Sequence, residues 1–367
     1  HANTLLVVAG GVNRIPTKKN TRLILKNSSR PSPPVAQPKL KVYCLGPGIG
    51  ESIVLQLPCG GWGIVDCYQV DGGGTLEFLL QQKIKRLKFI CFTHPHEDHY
   101  RGAHKLLDHY TGRIEQIWRF PGVSKKDLQN LGLAARARAK YVGDPEANGI
   151  ANEYLLMLQS LTRERERLDK HTYRQLIAPH LLLEEKLYKI EVTEPGTPTV
   201  QAFQERLSRI FIKRCPMLLA DEGGDLINSL SIVLAITFGA ATVFLLGDAQ
   251  GPDTVLDEKK PARYSLVKIA HHGSHNGLGA KILTRGNRNP HCVNHGIVTP
   301  YARSNLPRQD MLRKYEKACA KLIHTCPDLN SLPRRPVPGM SNARVPNKNI
   351  TWIGIEVSGD GKIRRFQ

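Results

Sequence analysis

The chain lacks most of the features that would mark it for a membrane, a disulfide scaffold or a simple nucleic-acid module. No uninterrupted run of about 18 apolar residues is present, as a membrane span would need. The longest candidate, "SLSIVLAITFGAATVFLL", is broken by Ser, Thr and Gly and reads as two strands with a turn. The opening "HANTLLVVAGG" has no basic start followed by a continuous apolar stretch, so no secretory signal is expected. Eight cysteines occur without regular CxxC spacing, and Cys44, Cys67, Cys91 and Cys215 lie in or beside apolar runs. They read as buried free thiols, which favours a reducing, cytoplasmic setting. There is no HExxH, no repeat of fixed period, and no RNA-recognition signature with interleaved aromatics.

Acids are missing where bases are abundant. Residues 1–50 carry eight Lys or Arg and no acid, residues 280–367 carry 16 against 5, and the centre is nearly balanced, so the two ends hold nearly all of the net +20. Such flanks attract a polyanion such as nucleic acid or an anionic metabolite, in a salt-dependent way. A basic surface serving solubility or a protein partner fits the charge equally well.

What is present is the alternating pattern of an α/β protein. Residues 1–38 are Pro-rich and basic, with one short strand around "TRLIL", and read as an arm. Strands are expected in "KLKVYCLG", "ESIVLQLP", "WGIVDCY" and "RLKFICFTH", with a helix in "GTLEFLLQQKIK". After a helix in "RGAHKLLDHYTG" and a strand in "IEQIWRF", residues 122–185 change character. There "ANEYLLMLQSLTRERERLDKHTYRQLI" has helical apolar spacing and alternating Glu and Arg, which predicts a helical insert. Strands resume at "LYKIEVTEP" and continue through "NSLSIVLAI", "TVFLLGDAQ" and "YSLVKIAHHGSH", with a helix in "TVQAFQERLSRIF". An amphipathic helix "RQDMLRKYEKACAKL", a Pro-rich loop over 327–346 and a closing hairpin complete the chain.

The chemistry concentrates in "HPHEDH", three histidines and two acids in six positions directly after the apolar "LKFICF". On a strand-to-helix turn, His94 and His96 converge on one point while Asp98 and His99 turn toward a second, an arrangement that suits two neighbouring cations. Imidazole with carboxylate fits zinc, manganese or iron, and buried charge of this density demands a counter-ion. "VFLLGDAQ" ends an apolar strand with Asp248, and "LVKIAHHGSH" ends another with His271 and His272, the edge at which α/β proteins place ligands.

"THPHEDH", "LLGDAQ" and "IAHHGSH" together resemble the metal-binding motifs of the metallo-β-lactamase superfamily. "GPGIGESIVLQLP" before "GWGIVDCY", "NSLSIVLAI" before "FLLGDAQ", "HHGS" and "IVTPYARSNLPRQDMLRKY" are similar to its branch related to the C-terminal hydrolase domain of the competence DNA-uptake protein. The resemblance implies a four-layer αββα sandwich over residues 39–121 and 186–367, interrupted by the insert. It implies two divalent ions, zinc or manganese: His94 and His96 on one, Asp98, His99 and His272 on the other, and Asp248 between them. Asp66, ending "WGIVD", would orient a histidine ligand. The further histidine that completes the first site in many members is not evident, since His104, His109, His171 and His180 lie in helices or the insert. Such ions would activate a water that Asp98 positions, while His271 faces substrate as a proton donor. Ser274 and Asn305 are further candidate substrate contacts, although capping a loop is the commoner role for such residues.

The expected activity is hydrolysis, with phosphodiesters of nucleic acid or nucleotides as the substrate class. The alternatives are an amide, ester or peptide hydrolase acting as an effector in a bacterial antiviral defence system, since hydrolases similar to this branch occur beside other genes in such systems, and a subunit with structural metals whose arm and insert bind partner proteins or nucleic acid.

Overall fold

The computed structural model describes residues 37–46, 50–70, 73–122, 125–169, 171–212, 227–250, 264–277, 292–325 and 352–366. Pro38–Gln367 form one compact unit. The expected arm over residues 1–38 and the Pro-rich loop over 327–346 therefore lie outside the described residues, apart from Gln37 and Pro38.

The elements follow in chain order. The first part holds β1 (Lys39–Leu45), β2 (Ser52–Gln56), β3 (Trp62–Val65), a two-stranded ribbon of β4 (Gln69–Val70) and β5 (Gly73–Gly74), α1 (Thr75–Gln81), β6 (Leu87–Phe92), α2 (Glu97–Tyr100), α3 (Ala103–His109) and β7 (Ile114–Arg119). The middle holds α4 (Lys125–Tyr141), α5 (Pro145–Arg167), β8 (Tyr173–Gln175), β9 (His180–Glu184), β10 (Tyr188–Glu194) and α6 (Thr197–Ile212). The last part holds β11 (Val233–Phe238), β12 (Ala241–Leu245), β13 (Tyr264–Lys268), β14 (Val293–Val298), α7 (Gln309–Ala318), β15 (Cys319–His324), β16 (Trp352–Ser358) and β17 (Ile363–Arg365).

Among the described residues these strands make an eight-stranded sheet, β17-β16-β1-β2-β3-β6-β7-β8, and a seven-stranded sheet, β15-β14-β13-β12-β11-β10-β9. One continuous apolar cluster joins them, with Ile64, Phe89 and Trp118 from the first sheet and Ile190, Leu234 and Leu245 from the second all buried in it. Trp118 stacks on Phe89 with ring centroids 4.2 Å apart. Gly63 lies opposite Phe89 in the β3–β6 ladder, and a Cβ there would meet the ring at 2.3 Å, so only glycine lets the ring lie across the strand. This is the expected two-sheet sandwich with helices. No helix among the described residues is long and apolar enough to cross a membrane.

Two expectations are corrected. The helical insert does not run to residue 185: the helices end at Arg167, and the next residues form β8, at the edge of the first sheet beside β7, and β9, at the edge of the second beside β10. The dense Glu/Arg alternation of α5 hides this change of period, because "TYRQL" and "HLLLE" are too short to declare themselves and are stabilised by strands far away in sequence. Likewise the helix expected through "RQDMLRKYEKACAKL" stops at Ala318, and Cys319–His324 pairs in parallel with β14 as β15. The insert proper is a helical hairpin whose second helix starts locally. The Asp144 carboxylate accepts the Ala147 N–H at 3.0 Å, and Pro145 occupies the first turn, where its missing N–H costs nothing.

Both sheets contain parallel ladders, β3-β6-β7 in the first and β12-β13-β14-β15 in the second. Asp66, His94, Asp248 and His272 all follow the carboxyl ends of strands in these ladders.

Candidate metal centre

The loop after β6 carries Thr93, His94, His96, Asp98 and His99, with the last two on the single helical turn α2. Asp66, directly after β3, holds a left-handed backbone (φ 60°) that aims its buried carboxylate at this loop. Oδ1 accepts the Thr93 N–H at 2.7 Å, and Oδ2 accepts from Thr93 Oγ1 and His99 Nδ1, each at 2.7 Å. The opposite ring nitrogen, His99 Nε2, is thereby turned inward, 3.5 Å from Asp98 Oδ2 and 3.4 Å from Asp248 Oδ1.

The second sheet supplies the other wall. Gly247 (φ 50°) turns the chain after β12 and presents Asp248. After β13, His271 (φ 48°), His272 (φ 51°) and Gly273 (φ 80°) follow one another in the left-handed region, a run that bulky L-residues avoid. This corner swings the two imidazoles apart. His272 is buried, donates Nδ1–H to the Thr299 carbonyl at 2.9 Å, stacks on Tyr301, and puts Nε2 3.0 Å from Asp98 Oδ2. His271 stays half-buried, with Nε2 4.0 Å from Asp248 Oδ2, Nδ1 3.1 Å from Gln250 Nε2 and Nε2 3.4 Å from Asn228 Nδ2.

Three donor groups result among the described residues, the third of them Glu51, Asp66 and His99. His94, His96 and Asp248 offer atoms within 4.8 Å of one another, as do Asp98, His99, Asp248 and His272. Asp248 is common to these two. Among the described residues no further histidine joins the first group. His104, considered for that place, instead faces Glu153 of α5.

The donor chemistry fits cations. His99 Nε2 and Asp248 Oδ1 are buried and face each other at 3.4 Å, with Asp98 Oδ2 3.5 Å from the same nitrogen, so several donor atoms converge on one buried point where a cation would satisfy them together. His94 Nε2 and His96 Nδ1 approach to 3.2 Å. Burial, helped by the neighbouring imidazoles His99 and His96, drives the His94 pKa well below the usual range, and burial lowers that of His96, which favours the neutral rings a cation would need. Around the second group, burial opposes charge on His99, yet Asp248, Asp98 and Asp66 outweigh it and hold its pKa well above the ordinary value. His272 is raised in the same way, against burial, chiefly by Asp248 and Asp98. Burial also opposes ionisation of Asp98 and Asp248, but the surrounding histidines keep both well below the usual carboxylate range. The cluster is able to hold metal.

The remaining candidates take humbler positions. Ser274 Oγ donates to Asn276 Oδ1 at 2.6 Å within its own turn. Asn305 is exposed, in a left-handed conformation after a short turn, its N–H donating to Ala302 O at 3.1 Å. Sequence reasoning missed Glu51 and Lys268, which are almost wholly buried and form an ion pair at 2.6 Å, and Thr299, whose hydroxyl donates to Glu51 Oε2. Burial would raise the Glu51 carboxyl, but Lys268 and His272 hold it below its ordinary value. A lone Lys inside the apolar "YSLVKIA" was the available signal, because a charge fully inside a strand requires a partner.

The two-sheet sandwich and its His/Asp cluster define the class: a metallo-β-lactamase fold. Residues 45–119, which carry Asp66 and the whole HPHEDH loop, match the family model for the metallo-beta-lactamase superfamily. No curated protein matches the chain. Among solved structures, the metallo-beta-lactamase fold protein YhfI from Bacillus subtilis is similar at 12% identity and a TM-score of 0.40, over 78% of this chain and 95% of that one. A diphosphatase from the PhnP family is similar at 12% identity and a TM-score of 0.39, over 77% and 94% of the two chains. Human tRNase Z, short form, is similar at 14% identity and a TM-score of 0.38, over 71% and 92%.

Proposed function

We propose that this protein is a metal-dependent hydrolase of phosphodiester bonds in nucleic acid or nucleotides, with two divalent ions, zinc or manganese, at the cluster. The observation that carries this reading is the pair of largely buried donor groups sharing Asp248. The phosphodiester class rests on the basic flanks and on the likeness of the motifs to the competence-related branch. Buried free thiols at Cys44, Cys67 and Cys91 accord with a cytoplasmic setting.

A pair of divalent ions supplies Lewis acidity toward a phosphoryl oxygen and an activated water. The chain's own residues do the rest. His94 and His96 would hold one ion and Asp98, His99 and His272 the other, with Asp248 available to both. Asp66 and the Thr299 carbonyl fix the Nδ1 protons of His99 and His272, so that each Nε2 lone pair points inward. Asp98 would also position the attacking water. His271, at the rim with its ring steadied between Asn228 and Gln250, is placed to hand a proton to the leaving oxygen.

The test is a panel of DNA, RNA and cyclic dinucleotides incubated with the purified protein and added manganese or zinc, alongside elemental analysis. Metal-dependent cleavage that His96→Ala abolishes supports the reading. Cleavage that survives His96→Ala, or a protein that takes up no metal, overturns it.

A further inference from the structure

The corner at residues 50–52 touches three parts of the centre at once. Ser52 Oγ donates to the Asp66 carbonyl at 2.8 Å, and the Glu51 N–H donates to the Asp98 carbonyl at 3.0 Å. The Glu51 carboxylate reaches the third part: Oε2 accepts from Thr299 Oγ1 and lies 3.6 Å from His272 Nδ1. Lys268 completes the arrangement from β13, the strand that delivers His272. It is fully buried, its Nζ 2.6 Å from Glu51 Oε2, and it also donates to the Ile269 carbonyl at 2.8 Å.

Stability alone does not account for this pair. Removing two charges from water costs about as much as their attraction returns, and well-packed apolar side chains of similar volume serve a fold equally well or better. What an apolar pair lacks is a fixed negative charge behind one imidazole. Lys268 keeps the Glu51 carboxylate in its charged form inside the protein. Glu51 in turn fixes the Thr299 hydroxyl, and the Thr299 carbonyl receives the His272 proton. The chain Lys268–Glu51–Thr299–His272 thus ends at the Nε2 that faces Asp98. It parallels Asp66 behind His99 but reaches across the chain, since Glu51 and Thr299 are 248 positions apart.

We propose that Glu51 and Lys268 are positioning residues for the second donor group: the pair orients His272 and strengthens its Nε2 as a ligand, acting on the ion of Asp98, His99 and His272 and not on that of His94 and His96. This rests on the metal-binding reading above, and the experiment separates the two. Stepwise zinc dissociation constants are measured against a chromophoric chelator for the wild type, Glu51→Gln and the double variant Glu51→Gln/Lys268→Met, which leaves no unpaired buried charge. His96→Ala, which cripples the first group, identifies the step belonging to the second, and the cobalt-loaded proteins give absorption spectra for each step.

Two steps in the wild type are expected. In Glu51→Gln one of them weakens about 10- to 100-fold, the range for losing a group that orients a ligand, with an altered cobalt band, while the other stays within about threefold. The double variant recovers melting temperature without recovering that step. A wild type that binds no metal defeats the functional reading itself. Unchanged steps in folded Glu51→Gln, equal weakening of both in proportion to lost melting temperature, or full recovery of the second step in the double variant would each overturn the positioning role alone.

Discussion

His99 Nδ1 lies 2.7 Å from Asp66 Oδ2, and both groups are buried. This contact fixes which nitrogen of His99 carries the proton and which faces the cluster. The carboxylate that ends β3 therefore governs a ligand that it would never touch as a metal donor.

Asp66→Asn is expected to keep the bond to the Thr93 N–H through its amide oxygen and to lose the acceptor that anchors His99. Metal affinity should fall about 10- to 100-fold with hydrolysis falling alongside, because ligand orientation and not the ligand itself is lost. Metal titration of the folded variant checks this, and wild-type affinity would contradict the role given to Asp66.

Metal uptake should release protons. His99 and His272 have raised pKa values in the metal-free protein, so at neutral pH cations displace protons from them, and affinity should drop as pH is lowered. Calorimetry in buffers of different ionisation enthalpy measures the number released. The same groups set the stability of the metal-free protein. The contribution of His99, whose folded pKa lies above its unfolded value, is fully present below the unfolded value of about 6.5 and is lost as pH rises through the folded one. Those of Asp98 and Asp248, whose pKa values are depressed, are present above the unfolded value of about 4 and are lost as pH falls through the folded ones. His94 and His96, whose pKa values are depressed, act the other way from His99 and cost stability as pH falls below about 6.5, so melting temperatures of metal-free protein should be highest near that pH and fall on either side.

Thiol labelling should divide the cysteines. Cys59 is exposed and should react with iodoacetamide in the native protein. Burial pushes the thiols of Cys44, Cys67 and Cys319 up to about 12, and that of Cys91 well above its usual value, so these four should label only after unfolding. Mass spectrometry of peptides from native and denatured samples reads the pattern.

Trp118→Ala should destabilise the protein by about 3–5 kcal/mol, the cost of emptying a large buried aromatic site. Trp118 is fully buried against Phe89, on the strand that leads into the HPHEDH loop. Denaturant titration gives the loss, and metal affinity extrapolated to the folded fraction should change little.

The residues of the candidate site were legible because each sits at the end of a strand whose own pattern is plain. An apolar run followed by HPHEDH, GD or HHGS declares both the strand and the polar cluster at its carboxyl end. Strands β8 and β9 were not legible, since three and five residues carry too little period, and their place is decided by partners in two different sheets. Nor was the left-handed run at His271 and His272, because the residue types there do not ask for it and the packing of Gly273 against Pro307 and Tyr315 imposes it.

By itself the sequence determined the α/β class, the order of most strands and the residues able to bind cations, because these depend on period and on neighbours a few positions apart. The motif resemblance already implied that Asp248 stands between the two donor groups and that His272 turns inward while His271 faces outward; tertiary structure alone decided that β8 and β9 leave the insert for two different sheets and that Glu51 meets Lys268 beneath His272. Those relations join residues up to 248 positions apart, as Thr299 and Glu51 are, and only the packing of the two sheets against one another brings such distant side chains within hydrogen-bonding reach.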